Sequence, residues 1–281
     1  MSSATIDPMI GRVRVGLTLP SFVDDPAVPI AIARDAEAAG VDGVFVFDHL
    51  FRQSGDGGRR PALEAIALLG AIAAATTRIH IGALVFRASL RPAASLATAV
   101  ATLARLAPGR VISAIGAGDS ESREENETFG VGFGSFAGRV AQLEVTARAV
   151  CDVGAPVWVG GHAAPVRAVA AAAADGWNSW GSEIGWFRRN AAEACAAAAR
   201  EPFACSWSGL AVLDTDDARA HAKADRLGAR PGTLVGGPDT MAASLRDFAA
   251  AGAQWVIVGP VDSREPANAT ILGEQVKPLL G

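Results

Sequence analysis

Gly43-Val-Phe-Val-Phe-Asp-His-Leu50 is a short apolar run that passes directly into two polar residues, Asp48 and His49. A run of four to eight apolar and β-branched residues, ended by a polar pair, reads as a buried strand leaving a sheet. If the sheet is a closed barrel of parallel strands, the C-terminal ends of its strands carry the chemistry. Asp48 and His49 are therefore the first candidate site.

The rest of the chain repeats that strand at regular intervals, separated by Ala-rich runs of helical period. Eight strands are expected, at residues 13–19, 44–47, 79–85, 110–115, 156–159, 177–180, 206–213 and 254–258. Helices are expected at 26–39, 61–76, 92–107, 136–152, 164–174, 183–200, 214–227 and 239–251, with a terminal helix from about Ala267. Pro in the first turn or Asp at the cap opens several of them, and Gly40, Gly109 and Gly252 follow helix ends. Eight βα units in 281 residues favour an α/β fold of the (β/α)8 TIM-barrel type, whose usual size is about 250 residues. The open doubly wound sheet is the alternative. The residues after the first strand, Leu-Pro-Ser-Phe-Val-Asp-Asp, lack the glycine-rich phosphate turn of that fold. With no long linker and no repeat beyond the βα alternation, one domain over 1–281 is expected, residues 1–12 forming an N-terminal extension.

Half of the residues are hydrophobic, yet the longest apolar run, 62–75, contains Glu64 and is too short to cross a bilayer. No membrane association is expected. The N-terminus lacks a basic region followed by an apolar run, which argues against secretion. Cys151, Cys195 and Cys205 are odd in number and have no metal-type spacing, so reduced thiols in a cytoplasm are expected. A net charge of −4 gives no electrostatic reason to bind nucleic acid. Four histidines spread singly, with no His-x-His, give no metal centre.

Three βα loops carry the remaining signals. After the fourth strand, residues 116–134 form a long, acidic, glycine-punctuated connection. From it the Ala117-Gly118 turn and Asp119 are selected, whereas Glu121, Glu124, Glu125 and Glu127 read equally well as a solvated acidic face. After the fifth strand, Gly160-Gly161-His162 leads straight into a helix. Free amides at a helix N-terminus hold a phosphate well, and an ordinary tight βα turn is the competing reading. In the third strand, Gly82 marks a place for a bulge that sets backbone against a flat ligand, while His80 reads as a satisfied structural histidine. Trp180 and Trp186 could wall an apolar pocket, and Trp177 reads as packing between barrel and helices. Arg87, Arg91 and Arg123 are candidates to meet an anionic substrate or cofactor tail. Arg188 and Arg189 read as a solvated helix face.

Taken in order, Phe47-Asp48-His49-Leu50, Leu63-Glu64-Ala65, Ala74-Ala-Thr-Thr-Arg-Ile-His-Ile-Gly82, Arg91-Pro92, Gly109-Arg110 and Gly116-Ala-Gly118 resemble the luciferase-like monooxygenase superfamily, most of all its short-chain F420-dependent branch. Phe129-Gly130, Arg139, Leu143-Glu144, Gly160-Gly161, Ala174-Asp-Gly-Trp-Asn178 and Val235-Gly-Gly-Pro238 extend the likeness along nearly the whole chain. The resemblance implies a TIM barrel that holds coenzyme F420, or alternatively FMN, and passes a hydride between its ring and a small organic substrate. It implies that Asp48 contacts the cofactor and that His49 is an acid or base beside the ring. It also implies a cis peptide between Leu84 and Val85 behind the ring, with Arg87 nearby. Asp119 falls where a related sugar-phosphate dehydrogenase has a glutamate thought to exchange a proton, although the side chain here is one methylene shorter. That relative carries Trp four residues beyond the histidine, where this chain has Gln53 at the expected substrate pocket, so sugar-phosphate oxidation is disfavoured. Only four residues separate Cys151 from Pro156, where relatives insert a longer segment. Relatives are commonly homodimers. FMN-dependent monooxygenation and cofactor binding without catalysis are the competing functions.

Overall fold

A computed structural model describes residues 13–53, 58–120 and 122–281. The N-terminal extension 1–12 and Glu121 lie outside the described residues. Eight parallel strands form the barrel: β1 (Arg14–Thr18), β2 (Gly43–Val46), β3 (His80–Arg87), β4 (Val111–Gly116), β5 (Val157–Gly160), β6 (Gly176–Trp180), β7 (Ala204–Leu213) and β8 (Trp255–Pro260). Each pairs with the next, and β8 pairs back to β1 through Arg14 and Trp255. The barrel is closed, as the eight βα units require. Around it lie α1 (Ala27–Ala38), α2 (Ala65–Ala75), α3 (Ala93–Leu106), α4 (Ser122–Thr128), α5 (Phe136–Cys151), α6 (Ala164–Ala173), α7 (Ile184–Ala197), α8 (Asp217–Leu227) and α9 (Pro238–Ala250). The chain ends in a helical segment whose hydrogen bonding changes from α (Ala267–Thr270) to π (Ile271–Val276) to 3-10 (Lys277–Leu280).

Alternation along each strand separates two apolar layers. Outward residues such as Val15, Leu17, Val44, Val46 and Trp177 pack against the helices, which confirms the packing role read for Trp177. Inward residues Phe45, Ile112, Trp158, Trp255 and Ile257 fill the barrel itself. Space for the two tryptophans comes from glycines: a Cβ at Gly43 would stand 2.9 Å from Trp255, and one at Gly176 2.6 Å from Trp158. Caps set the helix starts. Glu64, Ser135 and Asp216 accept from the amides of Ala67, Gly138 and Arg219. The cap of α8 is thus two residues later than the expected start at Asp214.

Three short elements depart from the expected pattern. Phe51–Gln53 and Arg59–Pro61 pair as an antiparallel hairpin after β2. Leu234–Gly236 adds a short strand beside β7. The acidic connection after β4 contains α4, and that helix changes the reading of the site.

Candidate active site

At the C-terminal mouth, β2 leads into Phe47, Asp48 and His49, and β3 carries Arg87 beside them. Asp48 is 3% exposed. Its Oδ2 accepts from the Arg87 amide (3.0 Å) and Arg91 Nη1 (2.7 Å), its Oδ1 from Arg91 Nη2 (3.0 Å), and its carbonyl from Arg87 Nε (2.9 Å). The Arg91 guanidinium also binds Glu64, the residue that caps α2. Burial pulls the Arg91 pKa down, but the bonds and charges of Asp48 and Glu64 outweigh it and raise it. Asp48 is therefore a buried clamp on Arg91 and on the backbone of β3.

His49 is the exposed member of the pair. Its Nδ1 lies 3.0 Å from Glu125 Oε1, and Phe22 and Phe47 flank its ring at 5.6 and 6.4 Å. Glu125 comes from α4, is 4% exposed, and binds Arg87 Nη1 through Oε2 at 2.6 Å. Burial pushes the Glu125 carboxyl up. The His49 bond and charge, the Arg87 charge and the Phe51 amide more than offset this and hold it below the usual range. Because an ionised carboxylate only accepts, His49 Nδ1 must be the nitrogen that carries hydrogen in this contact.

Sequence reading gave Glu125 no preference over a solvated carboxylate; here it is buried. A signal existed in the spacing. Ser122, Glu125 and Asn126 fall at i, i+3 and i+4, one face of a helix, and all three are buried. Asn126 adds to the cluster by accepting from Arg87 Nη1 at 3.2 Å. Asp119 has a local task, because its Oδ1 accepts from both the amide and the hydroxyl of Ser122 at 3.0 Å and so caps α4. Before it, Ala117 is buried and Gly118 takes a left-handed φ of 73° to start the turn.

Leu84 and Val85 are joined by a cis peptide, as the resemblance implies. The register of β3 on β4 shifts between Ala83 and Phe86, which places the bulge there and not at Gly82. Gly82 instead allows close strand approach, since a Cβ would stand 2.1 Å from the Ile112 carbonyl oxygen. Val85 lies across the ends of β4 and β5. A Cβ at Gly116 or at Gly160 would come within 2.5 Å of its side chain. Those glycines make room for Val85.

The Gly160-Gly161-His162 turn is tight. The Gly161 amide donates to Asn178, its carbonyl accepts from Trp177 Nε1, and the Val166 and Arg167 amides return to Ala163. With Pro165 lacking a donor, this turn offers fewer free amides to a phosphate than its sequence suggests. His162 meets the Ser179 hydroxyl at 3.0 Å and lies 4.7 Å from the Trp186 ring. Burial first, then the Arg167 charge, lowers its pKa, so it is neutral near pH 7. Trp180 packs edge-on against Phe47 at 5.7 Å, which brings it to the mouth, and Gln53 donates to Glu124 at 2.7 Å on the adjoining hairpin. Arg123 pairs with Glu127 on the surface. His80 meets the Asp42 carbonyl and the Trp255 ring at the far end of the barrel, a structural role as expected.

Among the described residues no group of three or more His, Cys, Asp or Glu could hold a metal ion, and no helix is long and apolar enough to cross a membrane.

A closed (β/α)8 barrel with a histidine–carboxylate pair at its C-terminal mouth has the form of a TIM-barrel enzyme site. The family model for luciferase-like monooxygenase matches residues 11–150, about half of the chain. Its sequence is similar to F420-dependent glucose-6-phosphate dehydrogenases: 48% identical over 86 residues in Beutenbergia cavernae, covering 30% of this chain and 25% of that one. The Kineococcus radiotolerans enzyme is 38% identical over 120 residues, 42% of this chain and 34% of that one. The alignments thus span only a quarter to a third of these relatives. Over 96% of the chain the fold matches an F420-dependent secondary alcohol dehydrogenase solved with an F420-acetone adduct, at a TM-score of 0.80, 17% identity and 99% of that chain. It also matches the F420-dependent tetrahydromethanopterin reductase of Methanopyrus kandleri over 96% of this chain and all of that one, at a TM-score of 0.75 and 16% identity.

Proposed function

We propose that the protein is an oxidoreductase that passes a hydride between coenzyme F420 and a small organic substrate at the mouth of the barrel. The observation that carries this reading is His49, fixed through Nδ1 by a buried carboxylate that Arg87 backs in turn. A base must be oriented before it is useful, and a second hydrogen bond is the usual means. The names of the relatives, with the F420 chemistry they state, support the choice of cofactor.

The residues present fit a flat heterocycle. The Leu84–Val85 bulge supplies an apolar wall, with Gly116 and Gly160 keeping side chains of β4 and β5 out of its way. Among the described residues, Arg87 Nη2 is buried without a partner and remains to donate to a polar atom of a bound group. Leu84, Val85, Arg87 and the Ala117-Gly118 turn are the assigned cofactor contacts, with Gly160, Gly161 and His162 at the edge and Asp48 acting through Arg87. Bound F420 would supply a two-electron hydride carrier. The chain's own part is to hold ring and substrate face to face, exclude water with Phe22, Phe47 and Trp180, and move a proton at His49 Nε2. Dimerisation belongs to the same proposal, supported by the exposed apolar side chains of Leu106 on α3 and Phe136 and Val145 on α5. Sedimentation velocity tests it directly.

Fluorescence titration with F420 and with FMN tests the cofactor. F420 binding at least tenfold tighter supports the proposal, and a preference for FMN transfers the site to flavin chemistry, with oxygen as co-substrate. Once a substrate is found, His49→Ala should lower kcat by about a hundredfold or more with F420 affinity unchanged. Equal turnover would remove His49 from the mechanism.

A further inference from the structure

Beside His49, on the far side of Phe22, a cavity of about 740 Å³ opens between the loop after β1, the hairpin, α8 and the loop after β8. Five cationic side chains line it, Arg52, Arg60, Lys223, Arg226 and Arg264, against the carboxylates of Asp262 and Glu265. The chain as a whole carries a net charge of −4, so this excess is local.

Two of the five are committed. Lys223 binds Asp262 at 2.6 Å and the Leu213 carbonyl at 2.8 Å, and Arg264 donates to the Phe22 carbonyl at 3.3 Å. Among the described residues, no carboxylate pairs with Arg52, Arg60 or Arg226. The hairpin contains its own contrast. Alternation sends Gln53 and Arg59 to Glu124, which both contact at 2.7–2.8 Å. Arg52 and Arg60 are direct cross-strand partners. Like charges placed opposite each other destabilise a strand pair, and an anion between or beside them removes that penalty.

The cavity also adjoins the reacting end. Trp180, Phe47, His49 and Phe22 form a continuous row with ring separations of 5.7, 6.4 and 5.6 Å, and the Arg52 guanidinium lies 5.8 Å from the Phe22 ring. A molecule with its reacting carbon at His49 would reach these arginines with the other end.

We propose that this cavity binds an oxyanion, a carboxylate or phosphate on the substrate, through Arg52, Arg60 and Arg226. The proposal rests on the hydride-transfer reading of the mouth and adds a substrate class to it. The same oxyanion chemistry occurs on the acidic tail of F420, so the test must separate the two sources.

Calorimetric titration of the full chain with inorganic phosphate and with malonate, at low ionic strength and pH 7, is run beside F420 titration. Each is repeated for Arg52→Gln/Arg60→Gln, for Arg226→Gln and, as a control outside the cavity, for Arg59→Gln. Saturable binding of either anion by the wild type, weakened at least tenfold in both cavity variants and unchanged in the control, with F420 affinity constant, is the expected result. F420 affinity that falls with anion affinity overturns the assignment to substrate and gives the cavity to the cofactor tail. No saturable binding, or equal binding by the cavity variants, overturns the site itself. Failure of the wild type to bind F420 defeats the proposed function, while the anion result still stands or falls on its own. Should the double variant misfold by circular dichroism, Arg226→Gln, on a separate helix, decides.

Discussion

At the lower end of the barrel Trp158 and Trp255 meet at 5.8 Å beneath Phe45, with glycines on the facing strands. At the upper end the same barrel carries Asp48, His49, Arg87, Glu125 and Arg91, joined by charge-assisted bonds of 2.6–3.2 Å. The lower end is held by matching large side chains to small ones, and any apolar set of the right volumes would satisfy it. In the upper end each buried charge is tolerable only because of its partner. Stability and chemistry are thus coupled at the mouth and separable at the base.

Glu125→Ala should break that coupling most severely. It leaves Arg87 buried without its carboxylate and releases His49 at once. Removing one partner of a buried pair costs about 3–5 kcal/mol, and losing an oriented acid–base group costs about a hundredfold or more in rate. Urea unfolding and turnover should both register the change; a loss in only one of them would show that the two roles of Glu125 are independent.

Trp158→Ala is the counterpart at the base. Deleting a buried indole costs about 3–5 kcal/mol, comparable in stability to the first variant. F420 affinity and turnover of the folded fraction should nonetheless stay close to wild type. A selective fall in turnover would mean that the base transmits strain to the mouth.

Why the base was readable in the sequence and the mouth only partly follows from the same contrast. The eight strands declare themselves by local alternation and by β-branched and aromatic content, and each lies within about two residues of its expected place. Asp48 and His49 were legible because they sit where an apolar run ends. Glu125 pairs with His49 across 76 residues and Asp48 with Arg91 across 43, and no local pattern announces a partner that distant. The hairpin was missed because Arg52, Gln53, Arg59 and Arg60 are exposed polar residues without strand alternation. Arg87 and Arg91 were read as cations for a ligand, but the fold uses most of their donors internally. The cations of the cavity beside Phe22 are others.

Acid titration sharpens the comparison on a smaller scale. The folded Glu125 pKa is depressed, so its stabilising contribution is complete above the ordinary value of 4.5 and is lost as pH falls through the lower folded value. Between pH 6 and pH 3 the wild type should therefore lose more stability than Glu125→Gln, in which that titration is absent. Parallel losses would assign acid sensitivity to other carboxylates.

The smallest effect is expected at Asp119, where capping and proton transfer make opposite demands on the side chain. A cap needs only an acceptor for the Ser122 amide, which asparagine supplies as well as aspartate. A proton donor or base needs the carboxylate. Asp119→Asn should then leave turnover near wild type, while Asp119→Ala loses about 1 kcal/mol and loosens α4, the helix that carries Glu125. A steep fall in turnover for Asp119→Asn, with unfolding unchanged, would restore Asp119 to the chemistry and make the mouth a site with two working carboxylates.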